Sequence, residues 1–372
     1  MSYEMRDRPI RVGVIGCGRI AIQAHLPHLA NDDRWDLVAV ADLDPHRRKI
    51  AQRYFGVPFS YESGADLIEG GGIEAVLIAT HELEHARVAS IALEAGIHVF
   101  VEKPMAATQS DASHLIEAAN QRDLVLMVGY QKLFDPCVEE LRRMLKQGAI
   151  EPVFLRIHNH SHDNSLIQSE TLPQYSLSRN YEAGTTDYTR GNQWDELLHQ
   201  LGVSVTPAMS AAYRLVLNLT CHELAVLVHL FGKPTSIDHV DIWENMLSCV
   251  AAFSWSGDLR SAVETAQSNR PWYDEELWLY AEDKSVQLQW PSPFALGAES
   301  TLNVWSSLPG AGRSCSSISS GPASPFRREV EAFHAAIQDG VDDKATAEVA
   351  RDTIELVNQI WDHHQRSGLS PQ

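Results

Sequence analysis

From Arg11 to Val128 one pattern repeats: a short apolar run without polar alternation, then a longer stretch with helical periodicity. The apolar runs are 11–15, 37–41, 75–79, 98–101 and 125–128, and the predicted helices cover 20–30, 46–55, 84–95 and 110–121. A strand that is apolar on both sides must be covered on both sides, which describes a parallel sheet between two helical layers. Parallel neighbours need right-handed crossovers, so the pattern predicts an α/β domain with a doubly wound parallel sheet.

The first run ends in Gly16-Cys17-Gly18-Arg19-Ile20-Ala21, with Ala in the place of a third glycine. The first glycine allows a tight turn and the second lets a pyrophosphate approach the backbone. The helix that follows offers N–H donors and a positive dipole end. Asp42 ends the second run, where a carboxylate can accept from ribose hydroxyls. Together these predict a dinucleotide-binding Rossmann domain, the alternative being a glycine-rich turn beside a solvated Asp. Leu43 follows Asp42, with no Arg next to it, so a 2′-phosphate would meet a like charge and NAD is favoured over NADP. Arg47 and Arg48 soften that preference.

Past Tyr130 the pattern changes. A helix is predicted over 136–146, then strands over 154–158, 237–243, 247–255, 261–265, 277–280, 285–289 and 302–305. Several alternate polar with apolar, as in Ser248 to Trp255, which suits a mainly antiparallel sheet with one face on a core and one open. Helices are expected over 222–230, 326–337 and 345–363, while 309–325, rich in Gly, Ser and Pro, reads as a flexible surface loop. The expected division is a dinucleotide domain over 1–130 and an α+β domain over 131–372, whose C-terminal helices are free to pack back on the first. At ~150 residues per domain, two domains also suit the 372-residue length.

With 30 Lys and Arg against 49 Asp and Glu, the formal charge is −19. That balance argues against a nucleic-acid partner and against a polybasic membrane contact. The five cysteines include no Cys-x-x-Cys spacing, so neither a disulfide framework nor a zinc knuckle is expected. Residues 1–8 do not resemble a signal peptide, and no run is seen to approach the ~18 apolar residues of a spanning helix. A cytoplasmic protein is expected.

A second motif is Gly96-Ile97-His98-Val99-Phe100-Val101-Glu102-Lys103-Pro104. It places Lys103 at the carboxyl edge of the sheet, where ligands of doubly wound folds bind. An ammonium there can stabilise an oxygen that gains negative charge; a surface Lys paired with Glu102 is the alternative. With this motif the chain resembles the glucose–fructose oxidoreductase and inositol dehydrogenase (Gfo/Idh/MocA) family. The resemblance rests on Val12 to Ala21, Asp42, Ala79-Thr80 with His85, Ala95 to Pro104, Val128-Gly129-Tyr130-Gln131 with Phe134-Asp135-Pro136, and His222 to Pro234.

The resemblance implies a nicotinamide-dependent dehydrogenase or reductase acting on a sugar, cyclitol or related polyol. It carries cofactor contacts to Gly16, Gly18, Arg19, Ile20, Asp42, Thr80, His81, His85, Glu102 and Lys103. Lys103 is implied as the catalytic lysine and His222 as the general acid/base, a role that suits an imidazole near neutral pH. Substrate contacts are implied for Lys103, Tyr130, Lys132, His158, His160, Asn218 and His222. The open face of the second sheet would expose apolar area, so a homodimer or homotetramer through it is expected. Two other readings belong to the same fold: a glycosidase that uses NAD transiently, and a sensor that binds NAD(H) without turnover.

Some residues depart from the family pattern. Asn218 stands where many members carry Asp, four residues before the histidine, and on one α-helix the two would share a face. His81 replaces a common Pro, and Leu133, beside Lys132, replaces a common Arg. His158, His160 and His162 alternate along a predicted strand and read as substrate-lining, as a polar sheet face, or as metal ligands, with no metal expected. The aromatic and polar stretch from Asn164 to Tyr213 suits a sugar or a surface insertion. Cys17 reads as a packing residue.

Overall fold

The computed structural model describes residues 8–70, 72–161, 191–200, 207–243, 247–267, 272–295, 297–310, 312–340 and 344–367. The chain divides into two compact units, one joining 1–131 to 325–351 and the other joining 132–324 to 352–372.

In the first unit the elements are β1 (Ile10–Ile15), a π-helical turn (Ala21–His25), α1 (Leu26–Ala30), β2 (Trp35–Ala41), α2 (Pro45–Phe55), β3 (Phe59–Tyr61), α3 (Gly64–Gly70), β4 (Ala75–Ile78), α4 (His85–Glu94), β5 (His98–Glu102), α5 (Gln109–Arg122) and β6 (Leu126–Gly129). The strands form one parallel sheet in the order β3-β2-β1-β4-β5-β6. Their apolar runs are buried on both sides, as in β4, where all four residues are inside. Side-chain caps start the helices where short polar residues precede them: Asp44 accepts from the His46 N–H, and Thr108 from the Asp111 N–H. Sequence periodicity did not reveal β3 or α3. The three-residue β3 is half exposed and lies at the sheet edge, so it lacks the apolar run that marks the others.

The second unit contains α6 (Pro136–Lys146), β7 (Phe154–Ser161), α7 (Gly191–Gln200), α8 (Pro207–Leu215), a second π-helical turn (Val216–Thr220), α9 (Cys221–Phe231), β8 (Ser236–Ile242), β9 (Ser248–Ser254), β10 (Arg260–Gln267), β11 (Asp274–Tyr280), β12 (Lys284–Gln289), β13 (Thr301–Leu308) and β14 (Gly312–Ser319). Helix α10 (Pro325–Asp339) belongs to the first unit, and the division between units falls within α11 (Lys344–Arg366).

The second sheet has the order β14-β13-β12-β11-β7-β10-β9-β8 and is antiparallel except for the β7–β10 pair. Its inner face carries Leu155, Ile157, Val263, Phe253, Leu277 and Leu279, all buried. Two expectations are corrected here. Residues 312–319, expected as loop, form the edge strand β14 on β13. Its side chains are all exposed, so backbone pairing alone makes it a strand and no apolar alternation marks it. The stretch Met209–Phe231 also has the length and hydropathy of a membrane-spanning helix. Most of it is buried against its own unit, with Leu215, Leu217, Leu224, Leu227 and Val228 in the core.

Candidate functional site

Four candidates follow the carboxyl ends of adjacent strands in the first sheet: Asp42 after β2, Gly16 after β1, Thr80 near the end of β4 and Lys103 after β5. Gly16 has φ +93°, and a Cβ there would lie 2.4 Å from the Ala79 carbonyl oxygen, so only glycine lets these two turns approach. The Asp42 carboxylate joins two turns: one oxygen accepts the Cys17 N–H at 2.8 Å and the other the Asp44 N–H at 2.8 Å. An Arg47 nitrogen stands 4.0 Å from that carboxylate, and the Arg48 guanidinium donates to the Asp42 backbone carbonyl. Burial, then the Asp42 charge, pushes the Cys17 thiol up to about 12, which makes it a neutral packing residue. Ile20 leads into the π turn and Arg19 is exposed beside it.

The turns after β4 and β5 are tied by one imidazole. His85 is buried, with Nδ1 2.8 Å from the Pro104 carbonyl oxygen and Nε2 3.2 Å from that of Thr80. His81 Nδ1 accepts the Leu83 N–H at 3.3 Å and caps the next turn. Lys103 is half-buried. Behind it, Glu102 uses one oxygen on His25 and the other on the Lys103 backbone N–H. Glu329, on α10, is fully buried and neither of its oxygens has a hydrogen-bond partner among the described residues. Burial and the Glu102 charge hold it well above the usual carboxyl range, so it keeps its proton.

In the second unit, His222 is the second residue of α9 and Asn218 lies in the π turn before it. The expected shared face of one α-helix is replaced by a wider turn, in which the Cys221 N–H reaches the Val216 carbonyl. Asn218 and His222 are half-buried, while Thr220, Cys221 and Glu223 between and beside them are buried. Lys132 turns inward: its ammonium meets Glu223 and Glu275, and its side chain is 6% exposed. Tyr130, at the end of the first unit, is buried.

His158 and His160 share one face of β7, with their rings 5.3 Å apart. His158 pairs with Asp274 and His160 with Glu264, each at 2.9 Å. Strand alternation turns Asn159 the other way, toward α9, so the two histidines and the His222 helix lie on opposite faces of the sheet. His162 and residues 164–190 lie outside the described residues. Of the aromatics in that stretch, Trp194 and Tyr213 pack together in the core, where Tyr213 donates to Asn358 at 2.8 Å. Among the described residues no group of three or more His, Cys, Asp or Glu is arranged to hold a metal ion.

Sequence reasoning did not single out Glu223, Glu275, Asn159, His25 or Glu329. Glu223 carried a signal: it is one acid ahead of the apolar run Leu224 to Val228.

Residues 10–130 match the Gfo/Idh/MocA oxidoreductase family with an NAD-binding Rossmann fold. Among curated relatives, the chain is 32% identical to a myo-inositol 2-dehydrogenase of Thermotoga maritima over 149 residues, covering 40% of this chain and 44% of that one. It is 35% identical to a dTDP-3,4-didehydro-2,6-dideoxy-alpha-D-glucose 3-reductase of Actinomadura kijaniata over 151 residues, 40% and 45% of the two chains. The chain thus spans less than half the length of these relatives. A 3-ketoreductase from Actinomadura kijaniata, solved with NADP and TDP-benzene, shares the fold across 95% of this chain and 98% of its own, with TM-score 0.72 and 18% identity.

Proposed function

Residues 10–130 match the Gfo/Idh/MocA oxidoreductase family, and we propose that the chain belongs to it and transfers hydride between a nicotinamide cofactor and a hydroxyl or keto carbon of a sugar, cyclitol or related polyol. One observation carries the reading. The Gly16 turn, Asp42, Thr80 and Lys103 follow the carboxyl ends of four neighbouring strands, two on each side of the β1–β4 point where strand order reverses. Ligands of doubly wound sheets bind at that point.

The turn fits a dinucleotide. Gly16 leaves no room for a Cβ beside Ala79, which brings bare backbone to the start of a helix, as a pyrophosphate requires. Asp42 would hold the ribose hydroxyls. Its neighbours Arg47 and Arg48 supply positive charge at the same corner, so both NAD and NADP are compatible with it. When bound, the nicotinamide supplies or accepts the hydride. In the oxidation direction His222 takes the hydroxyl proton and Lys103 stabilises the oxygen as charge builds. Glu102 and His85 fix the backbone on either side of Lys103.

The outer face of the second sheet supports a further part of the reading, assembly with a second copy of the chain. Phe154, Tyr280, Trp278 and Trp305 stack in one row there, with centroids 5.4–6.0 Å apart.

The experiment is nucleotide reduction followed by absorbance with a panel of sugars and inositols, comparing the wild type with Lys103→Ala and His222→Ala. Turnover that both variants reduce at least a hundredfold is the expected result. Equal turnover in the variants overturns the assigned roles. Cofactor binding without turnover on any polyol overturns the activity.

A further inference from the structure

The inner face of the eight-stranded sheet is apolar around one polar row. Thr265 on β10, Asn159 on β7 and Glu275 on β11 stand in register on three adjacent strands. Two residues down, the same strands present Val263, Ile157 and Leu277. All three polar residues are buried, and a buried polar row is kept only where each member is hydrogen-bonded.

The partners come from the segment that carries His222. Thr220 Oγ1 lies 2.7 Å from Thr265 Oγ1. Glu223 Oε1 accepts from Asn159 Nδ2 at 3.0 Å and from Lys132 Nζ at 2.5 Å. The same amide and the same ammonium also donate to Glu275 Oε1. Tyr273 donates to Glu275 Oε2 at 2.6 Å, and the Trp290 ring covers the ammonium at 5.4 Å. The helix is thus fastened to the sheet by the residues at 220 and 223, on either side of His222, across the join of a π turn and an α-helix.

Charge counting adds a constraint. Two carboxylates converge on one ammonium where Glu223 is 0% and Glu275 1% exposed. Fully ionised, the cluster would carry an unmatched buried negative charge, which desolvation opposes strongly.

We propose that Thr265, Asn159, Glu275 and Lys132 are positioning residues for His222, forming a buried latch that ties Thr220 and Glu223 to the sheet and so fixes the direction of the imidazole. The inference rests on the acid/base role proposed for His222. Burial, and then the balance of Lys132 against Glu223, leaves the Glu275 carboxyl pushed up to about 8. The two carboxylates keep Lys132 charged against its own burial, and Tyr273, held well above its usual range, stays a neutral donor. Among the described residues, the titratable groups that face the latch are these, from the turn after β6, from α9, and from β11 and the residue before it. As pH rises past that value the proton leaves, the cluster becomes net negative and the turn loosens.

The test uses the full chain with isotope-labelled histidine. The His222 ring signal is followed by NMR from pH 6 to pH 9.5 in the wild type, Glu275→Gln, Thr265→Val and Thr265→Ser. The wild-type signal is expected to change above pH 8 and the Glu275→Gln signal to stay level. Thr265→Val is expected to broaden the His222 signal and to lower kcat about tenfold, as a displaced catalytic group does, with KM unchanged; Thr265→Ser restores both. A Glu275→Gln profile identical to wild type, or a Thr265→Val signal identical to wild type, overturns the latch. A wild type without turnover whose His222 signal follows the expected pattern overturns the proposed activity and sustains the latch.

Discussion

His25 Nε2 lies 2.6 Å from Glu102 Oε1, in the interior of the first unit and one residue before Lys103. The imidazole is fully buried and the carboxylate 9% exposed. Burial raises the Glu102 carboxyl, but the His25 hydrogen bond and the His25 and Lys103 charges outweigh it and leave it below its usual range. The rings of Phe100 and Phe326 meet His25 edge-on. Removing a buried hydrogen bond to a charged group costs about 1.5–3 kcal/mol. His25→Leu is expected to lose that much in urea unfolding, and His25→Gln, which keeps an N–H, about half. Equal losses would show that the contact does not hold Glu102.

Glu329 makes the opposite prediction for the same corner. Its carboxyl keeps a proton in the folded chain that the unfolded chain, with its ordinary value of 4.5, releases. Between that value and the raised one the folded state binds more protons, so the stability it contributes is complete below about pH 4.5 and is lost as pH rises. Glu329→Gln removes the titration. The variant is expected to match wild type in thermal midpoint at pH 4.5 and to exceed it at pH 8, by a gap that widens between. A gap that narrows with pH would contradict the buried neutral carboxyl.

These two acids also mark where the sequence was legible. Five of the six strands of the first sheet could be read because they are unbroken apolar runs, and Gly16, Asp42 and Lys103 because a motif ends each run. The second sheet could be read from alternation in strands such as Ser248–Ser254. What escaped was the pairing of distant residues. His25 with Glu102, Lys132 with Glu223 and Lys132 with Glu275 are separated by 77, 91 and 143 residues. No spacing encodes such meetings. For the histidines of β7, alternation marks a face without saying which face is the inner one, and it is Asn159 that turns toward α9.

Gly16→Ala tests the turn itself. At φ +93° a Cβ would sit 2.4 Å from the Ala79 oxygen and 2.8 Å from the Thr80 nitrogen, both backbone atoms. A left-handed L-residue alone costs about 1–2 kcal/mol, and the clash adds to it. Loss of NAD(P)H binding, read by fluorescence, is expected together with a stability loss of at least that size. Unaltered binding would mean that the turn is not the phosphate cradle.

Asp42→Ser tests cofactor choice. The carboxylate would repel a 2′-phosphate, and Arg47 at 4.0 Å is placed to contact one once the acid is gone. A charge-assisted contact of about 1.5–3 kcal/mol is on the order of tenfold to a hundredfold in affinity. The ratio of NADP to NAD affinity, measured by titration, is expected to rise by that factor. A serine also keeps an acceptor for the Cys17 N–H, so the turn survives the change. No change in the ratio would move the selectivity elsewhere.

The aromatic row on the outer sheet face predicts assembly. Cross-strand register places Trp278, Tyr280 and Phe154 on one face, with Trp305 diagonally beside them across β12. Four stacked rings on an open sheet form an apolar strip of the kind that a partner covers. A two-fold interface uses each residue twice. If burying Trp278 contributes about 2 kcal/mol per copy, losing it from both costs about 4 kcal/mol, on the order of a thousandfold in the dissociation constant. Trp278→Glu is therefore expected to turn a dimer at micromolar concentration into a monomer in light scattering, with the fold retained in circular dichroism. A wild type that is monomeric at that concentration would leave the row without this role.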